Sequence, residues 1–238
     1  MFDTDKFFWH NYIPFYEKFF ADRNFTKIAE IGLFKGDSVR WLLNRFPTSA
    51  IIGADILTRQ DTWPVDERFL DCQLDQGDLQ ALENFFSLGP YDLIIEDGSH
   101  FPEHQVSTLL IGIKHLTSDG VYILEDVHTS HPKHKLNKQP TVGNALSVLL
   151  ALAHYRRNGI AVTEERAELI AKNSLVTTDE VIDLDSALKE IVLYKRTILP
   201  DKCYECGSQD YEFSQYRCQC GAEIFSDTDS MSFVLIKE

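Results

Sequence analysis

The stretch YDLIIEDG at residues 91–98 and the stretch VYILED at residues 121–126 decide the fold. Each is a short apolar run that ends on acidic residues, as expected for a buried strand that leads into a polar loop. The segment between them carries apolar residues at helical spacing, namely Val106, Leu109, Leu110 and Ile113. A strand, a helix and a second strand in this order predict two parallel strands whose acidic ends lie at one sheet edge.

The same alternation extends in both directions along the chain. Apolar runs predict further strands at residues 27–32, 50–56, 68–74, 191–199 and 232–237. Helical spacing predicts helices at residues 39–46, 79–86, 142–154 and 163–172, and an aromatic helical segment at residues 1–24. We therefore predict an α/β fold with a doubly wound, mostly parallel sheet, which binds its ligand beyond the carboxyl ends of the strands.

Composition excludes several classes of partner. The chain has 238 residues and a formal net charge of -14, which repels polyanions, so neither nucleic acid nor an anionic membrane is expected as a partner. No apolar run approaches the roughly 20 residues that span a bilayer, and no signal-peptide pattern is present at the N-terminus. We expect a cytoplasmic protein that acts on a small molecule or a saccharide, with homo-oligomerisation left open.

The turn after the first predicted strand reads EIGLFKG at residues 30–36. It lacks the G-x-G-x-x-G spacing that holds a dinucleotide pyrophosphate, which disfavours hydride-transfer enzymes that use NAD. Its glycines suit a ligand with an amino-acid end and a nucleoside end, and Glu30 offers a carboxylate to a cation. Asp55, at the end of the second predicted strand, is placed to accept hydrogen bonds from both hydroxyls of a ribose.

Together with residues 75–78 and Asp97, this turn and Asp55 resemble the class I S-adenosylmethionine-dependent methyltransferases, which have a Rossmann-like fold. The resemblance implies that S-adenosylmethionine is the cofactor. It assigns the methionine end to the glycine turn, the ribose to Asp55 and the adenine to the residues after the third strand. The cofactor-binding residues predicted in this way are Tyr12, Glu30, Gly32, Gly36, Ser38, Asp55, Asp75, Gln76 and Asp97. Ser38 and Asp75 are equally suited to a helix cap and a turn.

Three segments resemble the metal-dependent sugar O-methyltransferases that act on macrolide antibiotics. They are the N-terminal residues Asp5-Lys6, His10-Asn11-Tyr12 and Tyr16-Glu17, the motif Glu96-Asp97-Gly98-Ser99-His100, and the motif Glu125-Asp126-Val127-His128-Thr129-Ser130. The resemblance implies that Asp97, Glu125 and Asp126 bind Mg²⁺ and that His100 is the general base. The predicted reaction is methyl transfer from S-adenosylmethionine to a sugar hydroxyl of a glycosylated natural product or a saccharide precursor.

The chemistry requires these residue types independently of the resemblance. A sugar hydroxyl is a poor nucleophile near neutral pH, and its proton must leave as the new bond forms. A hard cation held by carboxylates polarises the hydroxyl, and an imidazole has a pKa suited to removing the proton. Three carboxylates at adjacent strand ends would repel one another without a cation, so their convergence favours a metal.

The cysteines form a separate motif near the C-terminus. Cys203-x2-Cys206-Gly207 and Cys218-x-Cys220-Gly221 are two knuckles that suit a tetrahedral structural zinc ion. The C-x-C spacing of the second knuckle leaves a rubredoxin-like iron site open. We predict a zinc-ribbon-like insertion at residues 201–226, an N-terminal segment at 1–24, a methyltransferase domain at 25–200 and a final strand of that domain within 227–238.

Two other functions compete with the predicted one. A metal-independent small-molecule O-methyltransferase also places acids at these strand ends. Alternatively, the chain is a catalytically inactive methyltransferase fold that serves as a binding subunit, with the cysteine module as its contact surface. The intact His100, Asp97, Glu125 and Asp126 disfavour this second alternative.

Overall fold

A seven-stranded sheet forms the centre of the protein, whose computed structural model describes residues 4–238. Its strands in chain order are β1 (Lys27–Ile31), β2 (Ala50–Asp55), β3 (Phe69–Gln73), β4 (Tyr91–Glu96), β5 (Leu116–Leu124), β6 (Leu188–Lys195) and β9 (Met231–Lys237). The spatial order is β3-β2-β1-β4-β5-β9-β6. Strand β9 alone runs in the opposite direction to the other six strands. The predicted doubly wound, mostly parallel sheet is confirmed.

Helices cover both faces of this sheet. They are α1 (Asp5–Phe8), α2 (Ile13–Phe20), α3 (Asp37–Arg45), α4 (Leu79–Phe86), α5 (Pro102–Gly112), α6 (Ala145–Arg157), α7 (Glu164–Ala171) and α8 (Thr178–Ala187). Helices α2 and α3 pack on one face around Phe20 and Leu42, whereas α4, α5, α6 and α8 pack on the other around Leu82, Leu109 and Leu149. Because both faces are covered, the central strands are buried on both sides and read as continuous apolar runs.

Register places the functional acids at one edge. Ile31 of β1 pairs with Glu96 of β4, and Glu96 pairs with Leu124 of β5. The next residues continue this alignment, since Asp97 N donates to Ile31 O at 2.8 Å and Glu125 N donates to Glu96 O at 2.9 Å. The acids that follow β4 and β5 therefore lie side by side at the carboxyl edge, as the sequence predicts.

Several boundaries differ from the prediction. The aromatic N-terminal segment, whose first three residues lie outside the described part, contains two helices separated at Asn11, which has a φ of 56°. Strand β5 begins at Leu116 and ends before Glu125, so both acids lie in the loop. Helix α8 was not predicted, although Thr177 and Glu180 form a capping box, which is typical of the start of a helix.

The cysteine module is inserted between β6 and β9. Its short strands β7 (Tyr211–Glu212) and β8 (Arg217–Cys218) pair with each other. Lys195 and Met231, which flank the insertion, are directly paired across the sheet, and the buried Arg196 forms an ion pair with Asp229 just above them. Both ends of the insertion are therefore fixed by the sheet. No helix within residues 4–238 is long and apolar enough to cross a membrane.

Candidate active site

A cavity of about 710 Å³ opens at the carboxyl edge of the sheet. Its walls come from the loops after β1, β2, β4 and β5, from α1 and from the cysteine module. Of the predicted site residues, it brings together Gly32, Ser38, Asp55, Asp97, His100, Glu125 and Asp126. The cofactor turn and the acidic residues thus share one cavity.

The glycine turn after β1 is held by Asp55. Asp55 Oδ2 accepts hydrogen bonds from Leu33 N at 2.8 Å and Phe34 N at 3.1 Å, and its Oδ1 accepts one from Leu57 N at 2.9 Å. Gly32 has a φ of 92°, and a Cβ there would collide with the Asp97 carbonyl. Only glycine therefore allows the turn to cross the β4 loop. Asp55 fixes the shape of the turn, and its contact with a ribose stays a prediction.

Glu30 lies beneath the cavity rather than in its wall. The side chain is fully buried, accepts a hydrogen bond from the Ser38 hydroxyl, and has one oxygen, Oε2, with no hydrogen-bond partner among the described residues. Burial raises the pKa of Glu30 to about 7, against the opposing effects of Lys6 and Ser38. Gly36 also lies outside the cavity wall, where it precedes α3 with a φ of 77°.

A buried lysine that the sequence analysis did not assign joins the acids. Lys6 Nζ lies 2.5 Å from Asp97 Oδ2, 2.8 Å from Glu125 Oε1 and 3.7 Å from Glu30 Oε1. Burial alone would lower the pKa of Lys6, but the three carboxylates outweigh it and hold the pKa well above its usual value. The signal in the sequence is a lysine directly before the aromatic run of residues 7–9, in a segment whose helical spacing predicts that it is buried.

Asp126 is surrounded by donors. Tyr12 Oη donates to its Oδ1 at 2.7 Å, and ring nitrogens of His10, His100 and His128 each lie 3.7 Å from its carboxylate. Burial alone would raise the pKa of Asp126. The three histidines and Tyr12 lower it by more than burial raises it, so the pKa lies below its usual range. His10 and His128 were not assigned to the site from the sequence.

Tyr12 lies beneath the cavity, and its contact with the cofactor stays a prediction. Its ring is fully buried, and its hydroxyl also donates to Met231 O at 3.0 Å, so it lies under Asp126 and outside the cavity wall. The aromatic spacing of α2 explains this position, because the face that carries Tyr12 and Tyr16 packs onto the sheet. Tyr12 supports the acidic group from below.

Asp75 and Gln76 also lie outside the cavity wall. Gln76 is buried and uses its amide internally: Nε2 donates to Glu96 Oε1 at 2.7 Å and to Thr108 Oγ1 at 3.0 Å, and Oε1 accepts from Ser99 N at 2.7 Å. Asp75 Oδ1 accepts from Gly77 N at 2.8 Å in an exposed turn. Gln76 therefore stabilises the loop that carries Asp97 and His100. Its amide is already hydrogen-bonded within the protein, and its contact with adenine stays a prediction.

Three side chains converge as a cation site. Single ligand atoms of Asp97, His100 and Asp126 all lie within 4.8 Å of one another. Beside them, His100 Nδ1 is buried and makes no hydrogen bond within the described structure. Carboxylate oxygens are the ligands that a hard divalent cation prefers, so Asp97 and Asp126 fit Mg²⁺. Of the three predicted ligands, Asp97 and Asp126 belong to this group, while Glu125 faces Lys6.

The main chain around this site is strained. Asn11, Phe34, His100 and Asp126 have φ values of 56°, 45°, 58° and 51°, in the left-handed region that non-glycine residues rarely adopt. Each such residue costs about 1–2 kcal/mol, and such strain persists where the surrounding structure enforces a functional geometry. Phe34, His100 and Asp126 lie on three separate segments that line the cavity, which favours a catalytic or binding role for it.

No protein-family model matches the chain. It is 34% identical over 140 residues to mycinamicin VI 2''-O-methyltransferase of Micromonospora griseorubida, covering 54% of this chain and 34% of that protein. It is 31% identical over 139 residues to 8-demethyl-8-alpha-L-rhamnosyl tetracenomycin-C 2'-O-methyltransferase of Streptomyces olivaceus, covering 54% and 36% of the two chains. The matches thus span about a third of the length of these curated relatives.

A solved structure of MycE methyltransferase from the mycinamycin biosynthetic pathway, in complex with Mg, SAH and mycinamycin VI, has a similar fold. Its TM-score is 0.62 with 25% identity, over 81% of this chain and 49% of that one. The sheet order, the glycine turn and the acids at the strand ends define a class I methyltransferase fold. Within that class, the relatives of the chain are sugar O-methyltransferases, which confirms the resemblance seen in the sequence.

Proposed function

We propose that the chain is an S-adenosylmethionine-dependent O-methyltransferase that methylates a sugar hydroxyl, assisted by a divalent metal ion and a histidine base. The observation that carries this proposal is the position of His100 beside Asp97 and Asp126, in the same cavity as the glycine turn. Similarity to enzymes named for methyl transfer to sugar-bearing macrolides and tetracenomycins supports a saccharide acceptor.

The cofactor fits the residues that line one side of the cavity. S-adenosylmethionine, when bound, supplies a methyl group on a sulfonium sulfur that becomes a neutral thioether. Its methionine end suits the backbone of the turn at Gly32, and its ribose suits the remaining lone pair of Asp55 Oδ1. The partnerless Glu30 Oε2 and the carboxylate of Asp97 provide negative potential for the cofactor's ammonium group.

The metal fits the adjoining acids. We assign Asp97, Glu125 and Asp126 to hold Mg²⁺, which, when bound, polarises the acceptor hydroxyl and stabilises its developing negative charge. Tyr12 holds Asp126 in place through a hydrogen bond, and Gln76 holds the loop of Asp97. These side chains restrict the carboxylates to one geometry before any ligand arrives, which is the preorganisation that catalysis requires.

His100 takes the proton. As the acceptor oxygen bonds to the methyl carbon, its proton passes to the imidazole, which becomes the imidazolium ion. Asp126, whose carboxylate lies 3.7 Å from His100 Nε2, stabilises that positive charge. Burial lowers the pKa of His100, whereas Asp126 and Asp97 raise it above its usual value.

One observation favours a metal-independent O-methyltransferase as the second candidate. The ammonium group of Lys6 already bridges Asp97 and Glu125, two of the three predicted metal ligands. A resident cation reduces the repulsion between the acids that otherwise calls for a metal. The two candidates share the cofactor and the base, and they differ in whether the purified protein binds a divalent cation.

The cofactor is tested by titrating the protein with S-adenosylhomocysteine in a calorimeter. We expect Asp55→Asn to weaken binding about 10- to 100-fold, because a charged acceptor of hydrogen bonds is lost. The exposed Asp61 gives a matched control, since Asp61→Asn should bind as the unaltered protein does. Absence of binding to the unaltered protein would overturn the methyltransferase proposal.

The metal is tested with Mn²⁺ as a paramagnetic substitute for Mg²⁺. Electron paramagnetic resonance should detect one bound ion per chain, and Asp126→Asn should weaken its binding by about tenfold or more. Asp183→Asn on the exposed side of α8 serves as control. Retained S-adenosylhomocysteine binding without any Mn²⁺ binding would favour the metal-independent candidate.

A further inference from the structure

The four thiols of the cysteine module form a tetrahedral group. Cys203 Sγ lies 3.7 Å from Cys220 Sγ, Cys206 Sγ lies 3.5 Å from Cys218 Sγ, and all four sulfurs lie within 4.8 Å of one another. A tetrahedron with Zn–S bonds of about 2.3 Å has edges of about 3.8 Å, whereas a disulfide requires about 2.05 Å. The spacing matches a metal site and excludes two disulfides.

The backbone around these thiols provides a second observation. Gly207 and Gly221 follow the two knuckles with φ values of 72° and 91°, and each donates its N–H to the carbonyl of the knuckle's first cysteine at 2.8 Å. These two glycines close each knuckle into a tight turn that holds its two cysteines close together, as a four-cysteine metal site requires.

The first knuckle, residues 203–207, forms part of the cavity wall. Cys203, Tyr204 and Gly207 line the 710 Å³ cavity. An adjoining cavity of about 480 Å³ shares His100, Asp126 and Tyr204 with the first cavity and is also lined by Trp9 and Glu205. Tyr204 and Trp9 lie with their ring centroids 6.0 Å apart, and the Tyr204 side chain is half exposed.

The module also holds helix α1. Asp201 N donates to Phe8 O at 2.8 Å, Arg196 Nη1 donates to Trp9 O at 2.9 Å, and Lys202 Nζ lies 4.2 Å from the Phe8 ring centroid. Trp9 packs against the small core of the module, which contains Cys203, Cys218 and Ile224. Helix α1 in turn carries Lys6 into the acidic group, so the thiols and the active site are connected through one short helix.

From these contacts we infer that the four cysteines bind one zinc ion, and that this site builds the outer wall of the acceptor pocket by fixing the first knuckle and α1. Tyr204 and Glu205 are assigned to contact the acceptor. An aromatic ring packs against the C–H face of a sugar, and a carboxylate accepts hydrogen bonds from its hydroxyls. The zinc site stands independently of the proposed function, whereas the sugar assignment rests on it.

The zinc site is tested on the full chain. Elemental analysis should find one zinc ion per chain, which Cys206→Ser loses and Cys72→Ser, on the distant strand β3, retains. Hydrogen exchange at the amides of Trp9 and His10, which both donate to Asp5 O, should accelerate at least about tenfold in Cys206→Ser, while the amides of β1 stay unchanged. Absence of zinc from the unaltered protein would overturn the zinc site. Loss of zinc in Cys206→Ser without faster exchange at Trp9 and His10 would overturn the inference that the zinc site fixes α1.

The assignment of Tyr204 to the acceptor pocket is tested with variants of exposed residues, because such substitutions should not affect folding. In the presence of S-adenosylhomocysteine, saturation-transfer NMR should detect methyl α-L-rhamnoside, methyl α-L-fucoside or methyl β-D-glucuronide. Tyr204→Ala should lower the affinity for the glycoside about two- to tenfold. Tyr216 is an exposed tyrosine elsewhere on the module, and Tyr216→Ala should leave this affinity unchanged. Equal effects of the two variants, or no glycoside bound by a protein that does bind S-adenosylhomocysteine, would overturn the sugar assignment and leave the methyltransferase proposal standing.

Discussion

Replacing His100 with alanine is expected to lower kcat for the proposed methyl transfer by about 10²–10⁴-fold and to leave S-adenosylhomocysteine binding unchanged. Removal of a positioned general base has this magnitude, because the hydroxyl proton must then pass to water. The measurement is single-turnover transfer from S-adenosylmethionine carrying a labelled methyl group to a glycoside acceptor, combined with calorimetry of the same variant.

The exposed His154 on α6 supplies the control for this experiment, since His154→Ala should retain full activity. Added imidazole should restore part of the lost rate to His100→Ala by occupying the vacated space. A His100→Ala protein that keeps kcat within threefold of the unaltered protein, about 0.7 kcal/mol of barrier, would contradict the assignment of His100 as base.

Replacing Lys6 with methionine lowers the free energy of unfolding by about 3–5 kcal/mol at pH 8, which corresponds to a fall in Tm of about 6–20 °C. The methionine leaves the carboxylates of Asp97, Glu125 and Glu30 without their buried partner. Thermal unfolding followed by circular dichroism measures the effect, and Lys18→Met on the exposed face of α2 is the matched control.

The pH dependence of this variant follows from the same contacts. Burial raises the pKa of Glu30 to about 7 and that of Glu125 well above its usual value. A carboxyl whose pKa is raised by folding contributes stability that is present below pH 4.5 and lost as the pH rises through its folded pKa. Without Lys6 these pKa values rise further, so the loss of stability should be larger at pH 8 than at pH 5. An equal loss at both values would show that Lys6 acts by packing alone.

The mostly parallel sheet and the position of the acids at its carboxyl edge follow from the sequence, for a simple physical reason. Buried parallel strands must be apolar on both faces, so runs such as residues 91–96 are visible as strands. Their carboxyl ends converge at one edge, so the residues that follow β4 and β5 meet whatever the details of packing. Asp97, His100 and Asp126 were found by this logic together with the family resemblance.

The direction of each side chain depends on tertiary packing, which the sequence pattern does not specify. Gln76 follows β3 as an adenine-binding residue would, but its amide is used by Glu96, Thr108 and the Ser99 backbone. Tyr12 lies near the site, but its ring faces the core. Lys6 was missed because the burial of a lysine is acceptable only where several acids meet, and those acids come from β1 and from the loops after β4 and β5.

The paired positions of Lys195 and Met231 make the insertion an exchangeable part of the molecule. Because the chain leaves and re-enters the sheet at neighbouring positions, a segment of different length can replace the insertion without shifting the register of β6 and β9. In the proposed enzyme, the first five strands carry the cofactor-binding residues, and the insertion carries the wall assigned to the acceptor. We therefore expect recombination at this hairpin to change which alcohol is accepted, provided that the new segment keeps the contacts that hold α1.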